Sequence, residues 1–146
     1  MSEPAGLAVA DVYLDACCFI YLVEGHPSWR SIVEGRIRGL DPTTRLLTSQ
    51  LSRLECRAKP MREGDTAMLD RYDALFAASR VVVLEVTAAV IDRATTIRAQ
   101  HGFKTPDAIH LATAVDSGAS TLWTGDASLA RFVDVTTVVL ALASPL

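Results

Sequence analysis

Five short runs of apolar, β-prone residues recur along this chain, and stretches with helical spacing separate them. The runs cover residues 9–14, 45–48, 81–84, 121–124 and 135–140. Val81-Val82-Val83-Leu84 is apolar throughout, as expected of a parallel strand that is buried on both faces. Strands that alternate with helices are typical of parallel sheets with right-handed crossovers. The pattern therefore predicts an α/β fold with a mostly parallel central sheet that helices cover.

The predicted helices begin at residues that favour helix starts, namely Ser28, Ser49, either Gly64 or Asp65, Thr87 and Thr105. Thr105-Pro106-Asp107 combines a cap, a proline at the first helical position and an acid in the first turn. The polar stretch over residues 59–64 contains Pro60, and it is predicted to end the helix that Ser49 begins. A short helix over residues 127–132 precedes the last strand.

The length of 146 residues suits one domain, residues 1–146. Hydrophobic residues make up 50% of the chain, and the mean hydropathy is +0.27. These values are high for a domain that stays in solution alone. Part of the apolar surface is therefore expected to be covered by a partner.

Composition also bears on location and ligand class. The apolar runs are far shorter than the roughly 20 residues of a membrane-spanning helix, so we expect no membrane span. Met1-Ser2-Glu3-Pro4 lacks the basic segment of a signal peptide, and the adjacent Cys17-Cys18 pair does not suit a disulfide framework. A cytoplasmic location is the expectation. The net charge of −3 and the pI near 5.5 do not indicate a nucleic-acid-binding surface, which is normally basic. A bound metal ion would make the local charge more positive.

Three acidic residues, Asp15, Asp107 and Asp126, stand where strands end or helices begin, and a fourth, Glu55, falls inside the helix that Ser49 begins. Ligands of open parallel sheets bind outside the carboxyl ends of the strands, which is where Asp15 is expected. Two carboxylates about 4 Å apart repel by about 4 kcal/mol at an effective dielectric near 20, so a cluster must share protons or bind a cation. Oxygen ligands suit Mg²⁺ or Mn²⁺, and such a site is suited to phosphodiester hydrolysis.

Each acid also has a structural explanation when taken singly. Asp107 and Asp126 lie at predicted helix starts, where free amide groups stabilise a carboxylate. Glu55 could be an exposed helix residue, whereas an acid that ends an apolar strand, as Asp15 does, is harder to explain. A non-catalytic binding domain is therefore an alternative. A phosphoacceptor domain is a third, but the chain lacks adjacent acids at the first strand and has no lysine after Lys104.

Motifs across most of the chain carry a family resemblance. They are Val12-Tyr13-Leu14-Asp15, the segment from Thr48-Ser49 to Glu55, Thr105-Pro106-Asp107-Ala108-Ile109-His110-Leu111-Ala112-Thr113-Ala114, and Leu122-Trp123-Thr124-Gly125-Asp126. In order and spacing, the chain resembles PIN-domain ribonucleases of the VapC toxin type. The resemblance implies a three-layer α/β/α sandwich and a Mg²⁺-dependent endoribonuclease that is the toxin of a toxin-antitoxin pair. It also implies an RNA substrate and a cognate antitoxin that covers the site.

Carried over by position, Asp15, Glu55, Asp107 and Asp126 are the catalytic and metal-site residues that the resemblance implies. One departure is Cys17, because many relatives have a serine, threonine or asparagine there. Thr124 is a candidate for supplying a hydroxyl. The candidates for holding RNA phosphates are Arg53, Arg57 and Lys104, although a solvated helix face is the simpler interpretation of the first two.

Other reactive side chains receive structural interpretations. His110 is predicted to be a hydrogen-bonded core or rim histidine, not a general base. Cys17, Cys18 and Cys56 are too irregularly spaced for a zinc site.

Two apolar surfaces are expected, one for an isologous homodimer and one for an antitoxin helix in a groove. An antitoxin arginine that pairs with two carboxylates would suit the acidic site. The residues behind this expectation are Phe19, Ile20, Leu22, Trp29, Ile32, Val33, Leu51, Leu54 and Met61. A monomer without a tight partner would instead indicate a housekeeping PIN-type nuclease.

Overall fold

A computed structural model describes residues 11–140 of the chain. These residues form five strands: β1 (Val12–Leu14), β2 (Leu46–Ser49), β3 (Val81–Leu84), β4 (Thr121–Thr124) and β5 (Thr136–Val139). They also form six α-helices: α1 (Ala16–Val23), α2 (Pro27–Arg38), α3 (Gln50–Glu63), α4 (Thr66–Phe76), α5 (Ala88–His101) and α6 (Thr105–Asp116). A 3₁₀ helix, Ala127–Arg131, lies between β4 and β5.

All strand pairs of the sheet are parallel, and the strand order is β3-β2-β1-β4-β5. β1 lies in the centre, where Tyr13 pairs with Leu47 of β2 and with Leu122 of β4. The chain builds outward from β1 through β2 to β3 and then crosses to the other side of β1. The strand order therefore reverses between β1 and β4, and the crevice at such a reversal is the usual ligand position in open α/β sheets.

Two hydrophobic cores cover the two faces of this sheet. Tyr13 belongs to the core under α5 and α6, while its neighbours Val12 and Leu14 belong to the core under α1, α3 and α4. This alternation is the period-two pattern of a strand that is buried on both faces. Burial of a leucine such as Leu111 or Leu122 contributes about 1.5–3 kcal/mol. The predicted three-layer α/β/α sandwich with a parallel sheet is confirmed.

Two predicted helix starts are wrong by one or two residues. α2 begins at Pro27, and the His26 ring, not Ser28, caps it by accepting from the Ser28 backbone N–H at 3.2 Å. Proline suits the first helical position because its φ is preset and an N–H there would have no helical partner. α6 begins at Thr105 itself after Lys104, which makes no side-chain cap hydrogen bond.

Pro60 does not end α3, contrary to the prediction. The helix continues through this buried proline to Glu63 and ends at Gly64, whose φ is 69°. The last turn holds because the backbone N–H groups of Gly64 and Asp65 donate to Met61 and Pro60 at 3.2 and 2.9 Å. Of the two candidates for the next cap, Asp65 is the residue that accepts from Met68 N–H, at 3.0 Å.

The remaining boundaries are close to the expected ones. Ser49 and Thr87 cap α3 and α5 as predicted. The last strand is shorter than the predicted run over residues 135–140, and residues 9–10 of the first run lie outside the described residues. Within residues 11–140, no helix is long and apolar enough to cross a membrane.

Candidate active site

Asp15 is the residue that joins β1 to α1. Its backbone N–H donates to Trp123 of β4 at 3.2 Å, and its carboxylate caps α1 by accepting from Cys17 N–H at 3.1 Å. The residue is 8% exposed. A nearly buried carboxylate is costly unless donors surround it. The helix start supplies such donors, so the position combines a structural cap with an acid at the carboxyl edge of the sheet.

The Cys17 thiol connects Asp15 to the end of the neighbouring strand. It donates to Asp15 Oδ1 at 2.8 Å, and the Gly125 N–H donates to the Cys17 sulfur at 2.8 Å. Gly125 lacks room for a side chain, because a Cβ there would lie 3.3 Å from this sulfur and would overlap Tyr21. The residue that departs from the family pattern is therefore in direct contact with the first acid.

Asp126 follows β4 and caps the 3₁₀ helix. Its carboxylate accepts from Ser128 N–H at 2.9 Å, and its own N–H donates to the Thr124 hydroxyl oxygen at 3.0 Å. Asp126 is exposed, whereas Thr124 is fully buried. The capping role that the sequence suggested for Asp126 is present. Thr124 contacts this segment through the Asp126 backbone.

Glu55 is held by a buried histidine from the opposite layer. Glu55 Oε1 lies 2.7 Å from His110 Nε2, and His110 Nδ1 lies 2.7 Å from the Tyr13 hydroxyl. Burial, and then the negative charge of Asp15, raise the pKa of Tyr13, so its hydroxyl keeps its proton. In the histidine tautomer that carries its proton on Nε2, Nδ1 accepts from Tyr13 and Nε2 donates to Glu55. The prediction that His110 is a hydrogen-bonded core histidine is confirmed.

Asp107 connects the four acids electrostatically. It lies in the first turn of α6, three residues before His110 and partly buried. Burial is the largest cause that raises its pKa, followed by the charge of Asp126, while His110 opposes the shift; Asp15 and Glu55 raise the pKa further. Like charges perturb a pKa in this way when they are close. Asp107 therefore lies within the electrostatic reach of the other three acids.

The four carboxylates are not drawn together into one tight group of ligands. Among the described residues, the one group of three or more histidine, cysteine or acidic ligand atoms within 4.8 Å of each other is Asp15, Cys17 and Cys18. Glu55 is directed to His110, and Asp126 is directed to Ser128. The carboxylate oxygens fit a hard ion such as Mg²⁺ by chemistry, since it prefers oxygen and keeps several waters.

Most of the chain matches one known protein family. The model of the PIN domain family matches residues 12–135. The chain belongs to the PIN domain family. The matched segment contains all four acids, and no curated protein matches the chain.

Solved structures share the fold of this PIN domain at low sequence identity. VapBC2 from Rickettsia felis, bound to a DNA fragment from its promoter, has a TM-score of 0.73 at 16% identity over 87% of this chain and 96% of that chain. A toxin-antitoxin complex from Klebsiella pneumoniae has a TM-score of 0.67 at 20% identity over 87% and 97%. VapC20 from Mycobacterium tuberculosis, a Sarcin-Ricin loop cleaving toxin, has 0.70 at 18% over 86% and 99%. The predicted PIN fold is confirmed.

The basic candidates flank the acids in sequence, but the side chains of Arg53 and Arg57 bind partners other than the four acids. Arg53 donates to Gln50 at 2.7 Å, one turn earlier on α3. Arg57 Nε lies 2.9 Å from Asp73 Oδ1 of α4, an ion pair in which the angle is too poor for a hydrogen bond. Lys104 is exposed just before α6, three residues before Asp107, while Arg53 and Arg57 are each two residues from Glu55. No hydrogen bond or salt bridge in the described part of the chain links these three residues to the acids.

Sequence reasoning did not foresee that the Cys17 and Cys18 thiols contact Asp15, or that Tyr13 contacts His110, which in turn contacts Glu55. Tyr13 lies within an apolar strand, where an aromatic residue signals packing and not a hydrogen bond. Cys17 follows a strand-end acid by two residues, which is the position from which a backbone N–H reaches an N-cap side chain. That offset was the available signal for a contact with Asp15.

Proposed function

We propose that this PIN domain is a Mg²⁺-dependent endoribonuclease, active also with Mn²⁺, that serves as the toxin of a toxin-antitoxin pair. The observation that supports this most is the coupling of Asp107 to Asp15, Glu55 and Asp126 at the carboxyl edge of the sheet. A carboxylate within electrostatic reach of three others is stabilised in its charged form by a divalent cation.

The four acids are the residues that would hold the ion. Mg²⁺, when bound, would offset the charge of the scissile phosphodiester and lower the pKa of an attacking water. Asp15 is rigid because it is nearly buried and caps α1. Glu55 is aimed by His110. Asp107 lies partly buried in the first turn of α6. One of these carboxylates would take the proton of the attacking water.

Substitution of single acids tests this function. Asp15→Asn and Asp107→Asn should abolish RNA cleavage, while the folded state is retained. Because each change removes one negative charge from the group, the melting temperature without metal should hold or rise. The matched control is Asp70→Asn, which changes an exposed acid of α4. Cleavage by gel assay and melting by circular dichroism give the two readouts.

Chelation gives the decisive result. Excess EDTA should stop cleavage, and Mg²⁺ or Mn²⁺ should restore it. Undiminished cleavage in EDTA, or full activity of Asp15→Asn, would refute the metal-dependent mechanism.

The partner half of the proposal concerns the outer face of α3. A groove of ≈ 360 Å³ there, the α3 groove, is lined by Gln50, Arg53, Leu54, Arg57, Ala58 and Met61. Leu54 is 63% exposed and Met61 58% exposed. Adjacent exposed apolar side chains rimmed by arginine are typical of interfaces. An antitoxin helix would bind in this groove, with a basic side chain that reaches the acids, and a homodimer would form through a second apolar face. Of the residues expected to supply apolar surface, only Leu54 and Met61 are well exposed, because the structure buries Phe19 and Val33 in the core and half-buries Ile20, Leu22, Trp29, Ile32 and Leu51.

A further inference from the structure

We propose that Asp15, Cys17 and Cys18 form a mixed oxygen and sulfur site that binds Zn²⁺ and thereby takes Asp15 away from Mg²⁺. The binding part stands on the geometry of the three residues. The inhibitory part rests on the proposed nuclease function.

The spacing of the three cysteines argued against a zinc site among them, but two of them converge with Asp15 at the start of α1. The ligand atoms of Asp15, Cys17 and Cys18 all lie within 4.8 Å of each other. The Cys17 sulfur is 2.8 Å and the Cys18 sulfur 3.8 Å from the same oxygen, Asp15 Oδ1. Both cysteines are free thiols. Burial raises the pKa of the Cys18 thiol, which also donates to Trp123 O at 3.3 Å, so zinc must displace this proton when Cys18 binds.

The distances suit zinc. Zinc binds sulfur at about 2.3 Å and carboxylate oxygen at about 2.0–2.2 Å. In a tetrahedral site these bond lengths separate sulfur from oxygen by about 3.6 Å. The Cys18 sulfur, at 3.8 Å from Asp15 Oδ1, is close to that spacing, and the Cys17 sulfur, at 2.8 Å, must move outward by less than about 1 Å when its thiol proton is replaced by the ion. The Gly125 N–H keeps the Cys17 sulfur in place beside Asp15. Cys17 is partly exposed and provides the entry, whereas Cys18 is buried behind it.

Ligand type decides which ion the site prefers. Sulfur ligands select zinc and related soft ions, while magnesium needs oxygen and does not gain from a thiol. Cys17 therefore adds affinity for Zn²⁺ without adding affinity for Mg²⁺. A serine in its place would offer oxygen and remove this discrimination.

Cadmium is the direct probe, because a cadmium–sulfur bond absorbs in the ultraviolet whether or not RNA is cleaved. The full chain titrated with Cd²⁺ in excess Mg²⁺ should develop this band. Cys17→Ser should lose most of it and should bind Zn²⁺ more weakly by more than about 10-fold, the lower end of what altered outer-shell partners cost. The matched control is Cys56→Ala, which removes a buried thiol that contacts Ala16 O instead of Asp15.

Three results of this titration would contradict the proposed zinc site. No band in the wild type, an unchanged band in Cys17→Ser, or equal loss in Cys56→Ala would overturn the site. Circular dichroism verifies that each variant is folded, and Cys17→Ala is the second variant if the serine form does not fold.

Inhibition is measured separately as the ratio of RNA cleavage with and without Zn²⁺ at fixed Mg²⁺. The ratio should fall for the wild type and change less for Cys17→Ser. A cadmium band without any RNA cleavage would leave the metal site standing and remove the nuclease. Cleavage without a band would remove the zinc site alone.

Discussion

At the scale of single residues, the hydrogen-bond chain from Tyr13 through His110 to Glu55 links the centre of the sheet to a site carboxylate. Tyr13 and His110 are buried, and both bonds are 2.7 Å long. A carboxylate that is held in this way keeps its orientation when a cation approaches. Partners of metal-binding residues commonly contribute about 10–100-fold to metal affinity.

Removal of the Tyr13 hydroxyl tests this chain. Tyr13→Phe leaves His110 Nδ1 buried without its donor, which costs about 1–3 kcal/mol of unfolding free energy. The freed histidine can reorient, so Mg²⁺ affinity measured by calorimetry should fall. Tyr72→Phe is the control, because Tyr72 is also buried but donates to Glu24. If both variants lower Mg²⁺ affinity equally, His110 does not position Glu55.

The sequence was sufficient to predict the position of Asp15 but not the partners of His110. Asp15 was predictable because the strand that precedes it is apolar and the helix after it begins at once. The partners of His110 were not, since Tyr13 lies 97 positions and Glu55 55 positions away. Periodicity specifies which face of α6 is buried, but it does not specify which side chain of another layer meets that face.

At the scale of helices and strands, two glycines show opposite uses of the same residue. Gly64 ends α3 with a φ of 69°, a left-handed conformation that other residues adopt at a cost. Gly35 lies inside α2, where a methyl group would meet, among the described residues, only the end of the Arg38 side chain, at 3.8 Å.

Alanine substitution should therefore shift stability in opposite directions at these two sites. Gly64→Ala should lower the unfolding free energy by about 1 kcal/mol because of backbone strain. Gly35→Ala should raise it by about 0.5–1 kcal/mol because alanine is the better helix former. Urea unfolding measures both. A stabilising Gly64→Ala would contradict the left-handed end of α3.

An ion pair at the start of β1 gives the fold a pH dependence. Asp11 Oδ2 lies 2.6 Å from Arg45 Nη2, just before β2. The hydrogen bond from Arg45 holds the pKa of Asp11 below its usual value of 3.8. An acid with a lowered folded-state pKa contributes stability above its unfolded pKa and loses it as the pH falls through the folded value.

Asp11→Asn should therefore be slightly less stable than the wild type at pH 7. The difference should shrink as the pH falls below 3.8 and vanish once the pH is below the lowered folded-state pKa, where the carboxyl is protonated in both states. The effect is small because Arg45 is well exposed. Thermal melting over the acid range gives the comparison, and a difference independent of pH would point to packing and not to charge.

Pro60 shows why one sequence pattern was misleading. Pro60 was expected to end α3 because proline removes a helical hydrogen bond. It lies in the last turn and packs in the interior, so tertiary contacts offset the lost bond. The alternation of strands and helices, in contrast, predicted the fold correctly, because each strand of a covered parallel sheet must bury both faces.

At the scale of the whole molecule, assembly depends on surfaces that one chain does not cover. The α3 groove exposes Leu54 and Met61 on the helix that also carries Glu55. Strand order was not predictable, since no local pattern says that β4 returns to the far side of β1. The site lies at that crossing.

Partner binding is tested by placing a charge in the apolar groove. Leu54→Glu should abolish co-purification of the antitoxin, because a carboxylate would be buried in the interface. Val133→Glu is the control, since Val133 is 85% exposed and lies outside the groove.

An arginine-bearing antitoxin peptide should suppress cleavage more than its Arg→Ala form. Equal suppression would mean that steric cover alone neutralises the nuclease.

A tight partner is the requirement of the toxin interpretation. A chain that stays a fully active monomer in sedimentation, with no partner, would indicate a housekeeping nuclease instead.

The central position of β1 has a consequence for synthesis on the ribosome. Asp15 is translated early, but Trp123, whose carbonyl oxygen also accepts from the Cys18 thiol, lies 105 positions after that cysteine. Contacts of such long sequence separation close late and slowly. A nascent or truncated chain thus carries the first acid without the strand that fixes it. Premature termination would yield fragments that lack the edge at which the proposed cleavage would take place, so the proposed activity would arise only in the finished polypeptide.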